Sequence, residues 1–242
     1  MRRFLSFFLI AILILGSNGV NGAVLDEGLS TNRAVELTDE LGEEIANQLN
    51  QLGLFKGSDK GYELDKGLTR AEGAVLVSRL LDKESVINRN QHKHRFTDVP
   101  KWADRSVAYM NERGIIKGIS EDKFGSDRLM SAKDFTTIVL RILRYHGDYG
   151  FEWEDSLDKA VEVGLYSEKY KQELESRDFL RKDAIYIMKM AISSNWAGSH
   201  TNVIRHLISK GIITKEDLSK VYELLLIGTM EEGSIPKGKF YR

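Results

Sequence analysis

Cysteine is absent from the 242 residues, and proline occurs only twice. The first absence excludes a disulfide framework, a thiolate metal site, a cysteine nucleophile and a lipid anchor on an N-terminal cysteine. The second excludes a Pro-rich stalk. An excess of one charge is also missing: 35 basic against 36 acidic residues give a net charge of -1. The charges are spread along the chain, so they make no global field for nucleic acid. An anionic ligand has to be caught locally, by a few placed arginines. Alternating runs of the β type are few, which points to an all-α fold. Neither a nucleophile elbow nor a P-loop nor a dinucleotide fingerprint occurs, and no cofactor is expected. What the chain has in ordinary amount is apolar side chain, 42%, enough for a core.

The N-terminus reads as an export signal. Arg2 and Arg3 form a basic start, Phe4 to Leu15 is apolar apart from Ser6, and a small, mostly polar stretch follows to Ala23. That three-part order is a secretory signal with cleavage near Gly22 or Ala23. The alternative is an uncleaved membrane anchor, against which stands the shortness of the run: a span needs about 20 apolar residues. Residues 1–23 are therefore assigned to the signal and 24–35 to a spacer.

The remainder repeats itself. Gly53-Leu54-Phe55-Lys56-Gly57, Gly114-Ile115-Ile116-Lys117-Gly118 and Gly164-Leu165-Tyr166-Ser167 each follow a helical pattern, over 45–52, 106–113 and 157–163. A glycine directly after a helix takes the left-handed closing position without steric cost, so Gly53, Gly114 and Gly164 are expected C-caps. A second amphipathic pattern follows each string, at a fixed register from an acid: Leu76, Val77, Leu80 and Leu81 after Glu72; Phe135, Ile138, Val139, Ile142 and Leu143 after Asp134; Ala184, Ile187, Met188, Ala191 and Ile192 after Asp183. The unit is helix, Gly-capped turn, loop, helix, and stacked units bury what one cannot. A fourth half-unit at 203–210, followed by Gly211-Ile212-Ile213, reads as a terminal cap.

Phe96-Thr97-Asp98-Val99-Pro100-Lys101-Trp102-Ala103, the Gly114 string, Lys123-Phe124-Gly125 and Leu68-Thr69-Arg70-Ala71-Glu72 resemble the S-layer homology module. The resemblance covers roughly residues 36–217, with repeats at 36–88, 89–147 and 148–218, the third degenerate and carrying the helical cap, and a tail at 219–242. It implies three helix-loop-helix repeats in a pseudo-threefold bundle. It also implies secretion to the cell wall or surface layer, and non-catalytic anchoring by non-covalent binding of secondary cell-wall polysaccharide, often pyruvylated. Nucleic acid is not an expected partner, and a membrane is one only transiently, through the signal. The alternative reading is a degenerate scaffold for protein–protein contacts at the envelope. A wall hydrolase is a third, weakened because the repeats use nearly the whole chain.

Thr69-x-x-Glu72 is a capping box, which satisfies free N–H groups at a helix start. Arg70 then stands in the first turn, where the helix dipole is unfavourable to a cation but adds to a guanidinium's hold on an anion. Trp102 offers a flat face to a sugar ring, and Asp98 can accept from its hydroxyls. The bland readings are a surface ion pair for Arg70 and a core position for Trp102. In the second unit Ala132 stands where Arg70 does, and Lys133 is one step out of register; in the third, Arg181 matches but Leu180 replaces the capping hydroxyl. At most two competent anion sites are expected, at Arg70 and Arg181. No metal site is expected: Asp59-x-Gly61-x-Glu63 and the 122–127 segment lack calcium-loop spacing, and His92 with His94 reads as a linker pair without a nearby carboxylate. Glu152, Glu154 and Asp155 beside Trp153 read as charged surface, not as a glycosidase pair.

Overall fold

A computed structural model describes residues 37–89 and 91–227 of the protein. The expected signal, the spacer and the basic end of the tail lie outside the described residues. The rest is all-α: among the described residues the only extended pairings are isolated bridges. No described helix is long and apolar enough to cross a membrane.

Helix α1 (Asp39–Gln51) begins because the Thr38 side chain accepts the Leu41 N–H at 3.2 Å, and because Asp39 and Glu40 suit the positive end of the helix dipole. It buries Ile45, Ala46 and Leu49, and it stops where Gly53 turns left-handed at φ +71°. Helix α2 is Arg70–Ser78 and α3 is Glu84–Arg89. Helix α4 (Lys101–Glu112) ends at Gly114, φ +67°, and α5 is Ala132–Ile142. After two 3-10 turns come α6 (Ser156–Glu162), α7 (Glu168–Ser176), α8 (Arg181–Ser193), α9 (Val203–Ser209) and α10 (Leu218–Leu226). α9 and its Gly211, at φ +60°, stand where the terminal half-unit is expected. Helices α3 and α7 were not evident in the periodicity, because α3 buries only Ile87 and α7 only Tyr170 and Leu174. α2 is shorter than its apolar pattern, so Leu80 and Leu81 reach the core from the turn after it.

The packing is between units. α4 lies on α2, α6 lies on α5, and α1 lies on α8. The α1–α8 contact sets the first described helix against one late in the chain. α9 packs on α8, and α10 packs on both α1 and α8. The core they enclose runs through Ile45, Leu49, Leu80, Phe124, Phe135, Leu140 and Ile187.

One cation sits inside this core. Lys189 of α8 is 4% exposed and donates to the Ile227 carbonyl at the end of α10. Burial pushes its pKa down from 10.5 to about 8, against the pull of Glu44. The unfolded chain keeps this proton up to the ordinary lysine range and the folded chain releases it earlier. Stability therefore climbs as pH rises between about 8 and 10.5, and the penalty is fully present below 8. Lys189→Met is expected to stabilise the fold at pH 7 by about 1–3 kcal/mol in urea denaturation, with the gain shrinking to nothing by about pH 10.5.

Candidate functional site

The starts of α2, α5 and α8 meet. Gly67 bridges to Leu180 and Thr69 to Leu129. At the α2 start the Arg70 and Ala71 N–H groups donate to the Arg128 and Ser126 carbonyls at 2.9 and 3.1 Å. At the α8 start the Arg181 and Lys182 N–H groups donate to Lys66 and Leu64 at 2.9 and 3.0 Å. The third acid of each helix holds its own N-cap with one carboxylate oxygen. Glu72 accepts from the Thr69 N–H at 2.9 Å, Asp134 from Ser131 at 3.3 Å, and Asp183 from Leu180 at 2.9 Å. Thr69 and Ser131 return the bond through their hydroxyls, at 3.3 and 3.1 Å; Leu180 has none to offer. A fourth box, Thr214 with Asp217, precedes α10.

The second oxygen of each of the first three acids takes a side chain from elsewhere. Glu72 takes Arg181, which also lies 3.6 Å from Glu63. Asp134 takes the Trp153 indole N–H at 3.1 Å, with the Lys133 ammonium 5.5 Å from that ring. Asp183, fully buried, takes the Tyr170 hydroxyl on that oxygen at 2.8 Å, and the Arg177 fork spans both of its oxygens at 2.7 and 2.8 Å. Arg181 is thus neutralised twice over. The missing arginine at Ala132 leaves no carboxylate stranded, because Arg177 reaches Asp183 from the end of α7.

Arg70 is half-buried between units. Its Nε donates to the Phe124 carbonyl at 3.0 Å and an Nη to Lys117 at 2.8 Å, and the guanidinium stacks 4.8 Å from the Phe124 ring centre. Burial lowers its pKa; Asp134 and Asp98 oppose this and Arg128 adds to it. Three of its five N–H positions stay open. Asp98 grips the other side of the same segment, accepting the Phe124 and Gly125 N–H groups at 2.7 Å each and that of Ser126 at 3.4 Å. Burial would raise the Asp98 pKa, but these backbone donors outweigh it and hold it below the usual range. Three of about four acceptor positions are therefore already filled. Trp102, in the first turn of α4, is 60% exposed and is no core residue.

The S-layer homology domain model matches residues 95–131, the segment that holds Asp98, Trp102, Gly114 and Phe124. The chain carries an S-layer homology domain. It is 29% identical over 143 residues to the middle cell wall protein of Brevibacillus brevis, which is 57% of this chain and 14% of that one. It is 28% identical over 127 residues to a surface layer protein of Brevibacillus choshinensis, 51% and 11% of the two chains. Cell surface glycoprotein 1 of Acetivibrio thermocellus matches at 26% over 87 residues, 35% and 4%. The matches span 14% or less of these relatives' lengths.

Just before the matched S-layer homology domain, the two histidines depart from expectation. Each has a carboxylate after all, supplied by α4: His92 faces Glu112, and His94 lies 3.2 Å from Asp104 while stacking on Phe96. Among the described residues no group of three or more potential ligands is placed to hold a metal. Glu152, Glu154 and Asp155 are exposed, as a charged surface should be. Sequence reasoning missed Arg177 and the Phe124 backbone. A cue to the former was an arginine six residues before a helix-start acid whose own unit lacks a capping hydroxyl.

Because Asp183 is fully buried and its charge is met by Arg177, removing that partner strands a carboxylate. Arg177→Ala is expected to cost about 3–5 kcal/mol in chemical denaturation. Ala132→Arg, at a position only 7% exposed, is expected to destabilise instead of creating a site.

Proposed function

We propose that the protein is a non-catalytic anchor at the bacterial cell surface, held by non-covalent binding of wall polysaccharide. The observation that carries this is Trp102. A large aromatic ring lies exposed within the matched domain, in the first turn of the helix that follows Asp98, and Asp98 and Arg70 both bond to the Phe124 backbone. Sugar C–H faces stack on such a ring, and the open N–H groups of Arg70 suit a carboxylate, including that of a pyruvyl ketal. In this reading Asp98 shapes the loop instead of binding the sugar, and Arg181 supports the α2 start through Glu72. The three helix pairs, closed in a cycle, are read as three repeats about a pseudo-threefold axis. The names of the relatives, cell wall and surface layer proteins, agree with this location. A second reading, a protein-binding scaffold, draws support from the neutralised Arg181.

The test is sedimentation with protein-free wall sacculi, with and without chemical removal of the polysaccharide. The expected result is co-sedimentation that disappears with the polysaccharide and falls about tenfold in Trp102→Ala, at unchanged melting temperature because the ring is exposed. Binding that survives removal of the polysaccharide, or a Trp102→Ala variant that binds as well as the parent, would overturn the reading. No sedimentation at all would favour the scaffold.

A further inference from the structure

At the opposite end of α5 from Asp134 lies a cleft of about 500 Å³ whose walls include Arg113, Arg141, Arg144, His146, Tyr145 and Phe151. Three arginines from two helix ends face one space, and among the described residues that line it there is no carboxylate. None of the three forms an ion pair with a described carboxylate, in contrast to Arg177 and Arg181.

Each guanidinium is held in place yet mostly unspent. Arg113 stacks on Tyr109, 3.5 Å from the ring centre, and donates once, to the Tyr109 carbonyl at 3.0 Å. Arg141 donates once, to the Ile115 carbonyl at 3.0 Å, and burial lowers its pKa with no carboxylate to oppose it. Arg144 stacks on Trp196 at 3.4 Å. Stacking covers a guanidinium's face and leaves its N–H edge open. A guanidinium carries five N–H donors, so most of those in the cleft are uncommitted. Capping of an α4 C-terminal carbonyl accounts for the Arg113 bond, and bracing of the turn after α4 accounts for the Arg141 bond; neither accounts for the remaining donors.

The position of Arg144 adds a second line. α1, α4, α6 and α9 all close on a left-handed glycine, at 53, 114, 164 and 211. After α5 the left-handed residue is Arg144 itself, at φ +68°. A long side chain is strained there where glycine would not be, and such strain concentrates where a side chain is needed.

We infer that this cleft is a second anion site, distinct from the Trp102 and Arg70 region, and that its ligand is of the phosphate class. A single carboxylate satisfies one fork, whereas three separate forks and a histidine suit an anion with several oxygens and more than one charge. Tyr145 and Phe151 give the rim apolar faces for whatever carries the phosphate. The site does not depend on the anchoring reading, since it shares no residue with it.

The test is calorimetric titration of the purified chain with inorganic pyrophosphate at low salt. The expected result is one saturable site, weakened about tenfold in Arg141→Gln and in Arg144→Asn, the latter chosen because asparagine tolerates positive φ. Arg95→Gln, which removes an exposed arginine elsewhere, and Trp102→Ala should both bind as the parent does. Competition by a glycerol-phosphate polymer assigns the site to a phosphodiester chain; competition by inorganic phosphate alone assigns it to the free ion. Three outcomes would overturn the inference: no saturable binding, an equal loss in Arg95→Gln, or citrate binding at least as tightly as pyrophosphate. If Arg141→Gln melts early, Arg144→Asn alone decides, because the Arg144 side chain makes no hydrogen bond to the described fold and its backbone bonds survive the substitution.

Discussion

The first four N–H groups of a helix have no partner within it, and a buried helix start must find them elsewhere. In this protein the need is met across units. The first two N–H groups of α2 donate to carbonyls of the 126–128 segment, and those of α8 to carbonyls of the 64–66 segment. Two long loops thus have fixed seats, and the stacking of Phe135 on Phe179 brings the α5 start to the same place. The acids at Glu72, Asp134 and Asp183 then satisfy one more N–H each and leave a second oxygen facing the neighbours. Arg181, Trp153 and Arg177 take up those oxygens, so the centre is charged on paper and paired in fact. Removing a buried partner at such a centre costs more than the pair contributes, because the remaining charge is stranded.

This changes what an arginine in the repeat motif signifies. Arg70 and Arg181 occupy the same position in their units, but they have different surroundings. Arg181 ends between Glu72 and Glu63 and has no net charge to offer. Arg70 is bonded to two carbonyls, which are neutral, so it keeps both its charge and open N–H groups. The loop it grips is the same one that Asp98 folds with three backbone bonds. The same motif residue is therefore paired with carboxylates in one unit and left with open donors in another, and only the partner decides which.

The parts of the fold legible in the sequence were the local ones. Glycine at 53, 114 and 164 announces a left-handed helix end by its own conformational freedom, and the registers after Glu72, Asp134 and Asp183 name the buried faces. What a register cannot name is the surface it meets. That α4 covers α2 while α1 closes on α8 follows from loop seating between distant segments, not from either pattern. The Arg181–Glu72 contact spans 109 positions, and the Asp98–Phe124 bond uses a backbone donor that every residue except proline has, so neither left a mark on composition or spacing. The polar α7 hid for a related reason. It buries two side chains only, yet the residue just after it, Arg177, completes the third helix start.

The two candidate binding regions lie at the two ends of α5. Arg70 sits within the field of Asp134 at its start, and Arg141 and Arg144 lie at its close. At about 1.5 Å per residue, eleven residues separate them by roughly 16 Å. That distance exceeds the screening length of about 8 Å at physiological ionic strength, so the two regions do not reinforce each other through space. A single extended polymer can nevertheless touch both, and once one contact forms the second becomes intramolecular. Solvent-open sites of this kind bind weakly one at a time; joined by a repeating polymer, their two affinities combine through the effective concentration that the linkage sets. On this argument a short ligand that reaches one region only is a poor substitute for a polymer that spans both.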